Sequence, residues 1–208
     1  VRFQLSTTLG FAMVFLACSV TGIMERKPFT AIAILWVNII MDGPPAMALG
    51  VDQGGSSVMS RTPRPKDEPI LTKQRWVTVG LSAFVMAVAT TLLFSFAPGE
   101  EVAATTASVA GTMGLNTFVL FQFFNILNVR SESRTVFSKL TFTNKYLWWS
   151  LAVVLLLQIA VTHVSFMQSL FNTQSISFNQ WMVCVAVASS VLWVEEIRKV
   201  IVRRFMSK

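Results

Sequence analysis

The chain has 208 residues, of which 53% are hydrophobic and only 13% charged, with a formal net charge of +7. A soluble domain of this size carries about a quarter charged residues, so the composition excludes an ordinary water-soluble fold. The positive charge does not indicate nucleic-acid binding either, because the cations are confined to short clusters between long apolar runs.

A spanning helix needs roughly 20 consecutive apolar residues. In chain order, six such segments are predicted at about 5–24, 30–49, 76–97, 107–129, 146–167 and 181–198. The fold expected is an all-α, polytopic membrane helix bundle with six transmembrane helices. Fifteen of the seventeen basic residues fall before the first span, in 51–75, in 130–145 or after residue 197. All these segments share one side if the spans alternate. The other side holds Arg26 and Lys27, with Glu100 and Glu101 in the 98–106 turn. By the positive-inside rule, both ends of the chain are expected to be cytoplasmic. Trp76, Trp148, Trp149, Trp181 and Trp193 lie near predicted span ends, as an aromatic belt at a lipid interface would place them. No cleavable signal peptide is visible ahead of the first span. The chain opens at Val1 without Met, so it reads as a piece of a longer protein.

The second span, "LWVNIIMDGPPAMALG" at 35–50, is the most informative. It sets Asn38 and Asp42 one helical turn apart, on one face, then breaks at Gly43-Pro44-Pro45. A carboxylate within a membrane segment is costly and marks a functional site by default. Neither proline has an N–H, so the carbonyls one turn earlier lose their helical donors. Freed carbonyls at membrane depth are tolerated where they line a cavity or coordinate an ion. Carboxylate, amide and carbonyl oxygens are hard ligands suited to Ca2+, Mg2+ or Mn2+. The acid and the break together read as a cation site built on Asn38 and Asp42. The plainer alternative is a proline-kinked packing helix with an incidental buried acid.

The other polar residues admit two readings each. Ser6, Thr7 and Thr8 in the first span can bond back to their own helix, or Thr8 can offer an oxygen to an ion. Asn116, Gln122, Asn125 and Asn128 in the fourth span are explained by interhelical hydrogen bonding, with Gln122 also a candidate for an ion pathway. Glu195 and Glu196 beside Arg198 and Lys199 read as interfacial salt bridges. Cys18 and Cys184 read as buried thiols, and His163 as a packing or interfacial residue. There is no GxxxxGK[ST], GxGxxG or HExxH pattern.

On these residues the chain resembles the C-terminal membrane region of the P-type calcium-transporting ATPases. "LWVNIIMDGPPAMALGVD" is similar to that family's sixth membrane helix, and "MSRTPRPKDEPIL" to the cytoplasmic loop after it. "VRFQLSTTLG" is similar to the start of the fifth helix, and "FNTQSISFNQW" to the region before the tenth. The resemblance covers essentially the whole chain. It implies that the six spans correspond to family helices five to ten, and that Asn38 and Asp42 ligate the transported ion beside an unwound turn.

It also implies partners within the same parent chain: the first four membrane helices, which add a glutamate to the site, and the actuator, phosphorylation and nucleotide-binding domains. ATP and Mg2+ would act there, so this piece alone is expected neither to hydrolyse ATP nor to transport. The family's two-site pumps use an Asn and a Glu in the fifth helix, where this chain has Thr8 and Phe11, and a Glu in the eighth, where it has Gln122. One site therefore looks dismantled, which implies one Ca2+ per cycle, with Mn2+ also accepted. "MDGPPA" is nearest the secretory-pathway calcium/manganese subfamily, whereas a Gln in the eighth helix is more like the plasma-membrane pumps. Arg61, Arg64 and Glu68 in the 51–75 loop are expected to help couple the membrane to the missing domains. The competing readings are a self-contained six-span cation carrier or channel, and a regulatory membrane subunit with no ion site.

Overall fold

A computed structural model describes residues 2–51, 72–98, 103–130, 135–136 and 139–206. Among these, every regular element is helical. The helices are α1 (Arg2–Thr21), α2 (Ala31–Asp42), α3 (Pro44–Gly50), α4 (Lys73–Phe96), α5 (Val109–Arg130), α6 (Lys145–His163), α7 (Ser165–Phe171) and α8 (Phe178–Met206). Among the described residues, five stretches are long and apolar enough to cross a membrane: Arg2–Thr21, Ala31–Gly50 taken across the break, Gln74–Phe96, Val109–Arg130 and Lys145–His163. The sixth expected span, 181–198, lies inside α8. That helix is 29 residues long and carries Glu195, Glu196, Arg198 and Lys199 in its second half, so it is more polar than the other five.

Local chemistry accounts for the helix ends. The Thr30 hydroxyl accepts the Ala33 N–H at 3.1 Å, and the Thr72 hydroxyl accepts that of Arg75 at 3.4 Å, capping α2 and α4. Asn144 Oδ1 caps α6 by accepting the Leu147 N–H at 3.0 Å. The first span ends at Thr21 rather than near residue 24, because Gly22 turns into the left-handed region at φ 80° and Met24 and Glu25 follow at 54° and 49°. The fifth expected span also divides: α6 stops at His163, Val164 is extended, and α7 continues as a separate short helix.

α5 is the axis of the bundle and packs against α1, α2, α4, α6 and α8. Beside it, Phe11 and Phe118 stack with centroids 4.0 Å apart, and Phe29 meets them edge-on at 5.3 and 5.6 Å. Gly114 lets α4 close on α5: a Cβ there would stand 2.0 Å from Cε1 of the buried Phe94. Cys18 and Cys184 are buried thiols, as expected. His163 is exposed and accepts the Trp181 indole N–H at 3.2 Å, an edge contact rather than a ligand position.

Where α1 and α8 meet, Glu195 is 1% exposed and holds two arginines. Arg2 Nη2 donates to Glu195 Oε1 at 2.7 Å, while Arg198 donates through Nη2 at 2.7 Å and Nε at 2.8 Å. Lys199 Nζ donates to Glu196 Oε1 at 2.8 Å. The expected salt bridges to Arg198 and Lys199 are present, and a further one, to Arg2, ties the first helix to the last.

Candidate functional site

The break in the second span lies where the sequence locates it. α2 ends at Asp42, Gly43 departs from helical geometry with φ −78° and ψ −98°, and α3 restarts with Pro44 and Pro45 in its first turn. Proline is well suited to that position, where an N–H would have no helical partner. The Gly43 N–H still reaches the Ile39 carbonyl at 3.1 Å, and the Gly43 carbonyl accepts the Met47 N–H at 3.0 Å. The carbonyls of Ile40 and Met41 would ordinarily pair with the N–H groups of residues 44 and 45, which proline lacks. Glycine is required at the corner by space: a Cβ at Gly43 would lie 2.6 Å from the Ile39 carbonyl oxygen.

Asn38 stands one turn before Asp42 on α2 and is exposed, within a stripe that includes Ile32, Leu35 and Ile39. Ala33 and Val37 form the buried side of the same helix. The Asp42 side chain and the loop residues Arg61, Arg64 and Glu68 lie outside the described residues.

Two further expected site residues sit elsewhere. Thr8 is exposed on α1, and it is the preceding Thr7 that faces inward. The Thr7 hydroxyl lies 2.5 Å from Gln122 Oε1 and 3.1 Å from the Phe3 carbonyl. Gln122 is fully buried on α5, and its Nε2 donates to the Phe118 carbonyl at 3.2 Å. Its oxygen therefore joins α1 to α5, while its nitrogen bonds back to its own helix. Asn125 likewise donates to Ser6 Oγ at 2.8 Å, and Asn128 to the Val191 carbonyl of α8 at 3.1 Å.

One group of residues near the break carries no motif in the sequence. Trp36 Nε1 donates to Gln158 Oε1 on α6 at 2.9 Å, and Gln158 Nε2 donates to Asn116 Oδ1 on α5 at 2.6 Å. On the far side of the break, Asn144 Nδ2 donates to the Ala48 carbonyl of α3 at 2.9 Å. The signal that could have found the group is Gln158 itself, an amide inside the apolar run "VVLLLQIAV".

Helical spans around a buried axis, one of them broken by Gly-Pro-Pro next to an acid, define a multi-pass membrane helix bundle. Residues 26–201 match the family described as cation transporting ATPase, C-terminus, and the chain belongs to that family. It is 38% identical over 201 residues to a Schizosaccharomyces pombe protein named calcium-transporting ATPase 1, covering 96% of this chain and 22% of that protein. It is 34% identical over 202 residues to calcium-transporting ATPase 1 of Saccharomyces cerevisiae, covering 97% and 21%. Against the Mus musculus protein named calcium-transporting ATPase type 2C member 2 it is 34% identical over 210 residues, covering 100% and 22%. The chain thus spans about a fifth of the length of these relatives.

Proposed function

We propose that residues 1–208 form the ion-binding and translocation part of an ATP-driven calcium pump. The observation that carries this reading is the coincidence of Asp42, Asn38 and the Gly43-Pro44-Pro45 break in one span of a cation-transporting ATPase family member. The Asp42 carboxylate, the Asn38 amide oxygen and the carbonyls released by the two prolines supply hard oxygen ligands for Ca2+. A single such cluster on this chain supports one ion per cycle. Mn2+ accepts the same donor types and is the second candidate cargo.

ATP and Mg2+ act in the actuator, phosphorylation and nucleotide-binding domains of the longer parent protein, in keeping with the fraction of the relatives' length that this chain spans. Arg61, Arg64 and Glu68 belong to the loop that contacts those domains. The concentration of cations in 51–75, 130–145 and the C-terminal tail supports both ends being cytoplasmic, with lipid around the bundle.

The test is phosphorylation of the full-length protein from ATP across a Ca2+ titration. Asp42→Asn is expected to abolish Ca2+-dependent phosphorylation while the protein still inserts and folds. Wild-type Ca2+ affinity in that variant would overturn the site assignment.

A further inference from the structure

Buried polar side chains join α2, α5 and α6 in one directional chain. Trp36 donates to Gln158, Gln158 donates to Asn116 Oδ1, and the Thr162 hydroxyl lies 3.1 Å from the same Oδ1 and 3.0 Å from the Gln158 carbonyl. Gln158 is 1% exposed, and Asn116 and Thr162 are fully buried. The polarity of the chain follows from chemistry, since an indole N–H can only donate. Gln158 must therefore turn its oxygen to Trp36 and its nitrogen to Asn116, which must answer with Oδ1. The Asn116 amide nitrogen is left buried with no partner among the described residues.

Leucine at position 158 would fill similar space, but apolar contact tolerates rotation of one helix against another. A hydrogen bond of fixed direction does not. Trp36 precedes Asn38 by two residues, which on an α-helix is about 200° of rotation. An indole held toward α6 therefore turns Asn38 away from α6, in agreement with Trp36 being half-buried and Asn38 exposed. Trp36 is also seated edge-on against Phe171 of α7, with centroids 5.0 Å apart. Beyond the break, the Asn144–Ala48 bond ties α3 to the start of α6. α6 thus holds the chain on both sides of Gly43.

We infer that Gln158 is a positioning residue for the cation site: through Trp36 it sets the rotation of α2, and so the direction in which Asn38 presents its amide. This rests on the reading of Asn38 and Asp42 as cation ligands. Asn116, whose Oδ1 also takes the Thr162 hydroxyl, holds the Gln158 side chain in the orientation that Trp36 requires, and all three act through α2 rather than as ligands.

The test uses the full-length protein, with phosphorylation from ATP followed across a Ca2+ titration. Gln158→Leu is expected to raise the half-saturating Ca2+ concentration roughly three- to tenfold, the scale of one interhelical hydrogen bond in a membrane. The maximal phosphorylation per folded molecule should be unchanged. Trp36→Phe removes the donor while keeping a ring, and should shift the half-saturation point by a similar factor. The two changes combined should go no further than either alone. A purely structural role would instead reduce the amount of folded protein, leave half-saturation where it was and give additive losses; that result would overturn the inference. Should Gln158→Leu fail to reach the membrane, Trp36→Phe decides alone, an unmoved half-saturation point being the negative outcome. Asp42→Asn separates the two levels of argument. If it abolishes Ca2+-dependent phosphorylation while Gln158→Leu shifts nothing, the inference falls and the site stands. If Asp42→Asn is without effect, both fall.

Discussion

α5 and the broken α2–α3 segment are both apolar spans carrying asparagines, yet they use them in opposite ways. In α5, 78% of the apolar stretch is buried, against 25% in Ala31–Gly50. Asn116, Gln122, Asn125 and Asn128 of α5 each bond to another helix, so their amides serve as mortar. Asn38 of α2 is exposed, beside carbonyls that two prolines have deprived of helical donors. A polar residue inside a membrane is therefore not a ligand by its type alone. What separates the two groups is whether the amide already bonds across to another helix, even where, as at Asn116 Nδ2 and Asn128 Oδ1, its second polar atom has no partner among the described residues.

If that contrast is correct, the largest effect belongs to Asp42→Asn, with complete loss of Ca2+-dependent phosphorylation and no loss of assembled protein. The next belongs to the structural side of the molecule. Glu195→Ala takes a carboxylate that is 1% exposed away from both Arg2 and Arg198. Breaking a buried pair costs about 3–5 kcal/mol. The two arginine side chains keep 11% and 16% exposure, so the lower end of that range is expected. Thermal unfolding of the detergent-solubilised protein would measure it.

Two glycines make a matched pair. Gly114→Ala drives a Cβ into the Phe94 ring, and overpacking of this kind costs about 1–3 kcal/mol. It should lower the unfolding temperature without altering Ca2+ half-saturation, and Phe94→Leu should restore much of the loss. Gly43→Ala meets the Ile39 carbonyl instead, and should shift Ca2+ half-saturation more than it shifts thermal stability. A swap of these phenotypes would contradict the division between the two regions. The smallest effect is Gln122→Leu, which removes the bond to Thr7 and should cost about 0.6 kcal/mol of stability. Its Ca2+ affinity should be unchanged, whereas a large loss would return Gln122 to the ion pathway.

The run "LWVNIIMDGPPAMALG" makes the break legible in the sequence itself, because the missing proline N–H is a covalent fact. Helix boundaries are less legible. Gly22 is a helix-stop residue inside the span expected to run to about residue 24, whereas the extended Val164 ends α6 beside a run that gives little warning of it. The pairs Glu195–Arg198 and Glu196–Lys199 follow from helical spacing, but Arg2 reaches Glu195 across 193 residues. Likewise "FQLSTTLG" offers Thr7 and Thr8 as equals, and only packing against α5 shows that Thr7 faces inward while Thr8 is exposed.

Sequence alone determined that the chain is a membrane helix bundle, which span is interrupted and which oxygen-bearing side chains stand next to the interruption. These are consequences of apolar length, of the cost of burying charge and of proline's missing donor, all local in the chain. Tertiary structure decided which amides are consumed and how the broken helix is held. Trp36 and Gln158 lie 122 residues apart, and only the packing of α2 and α5 against α6 brings Trp36 to one side of Gln158 and Asn116 to the other.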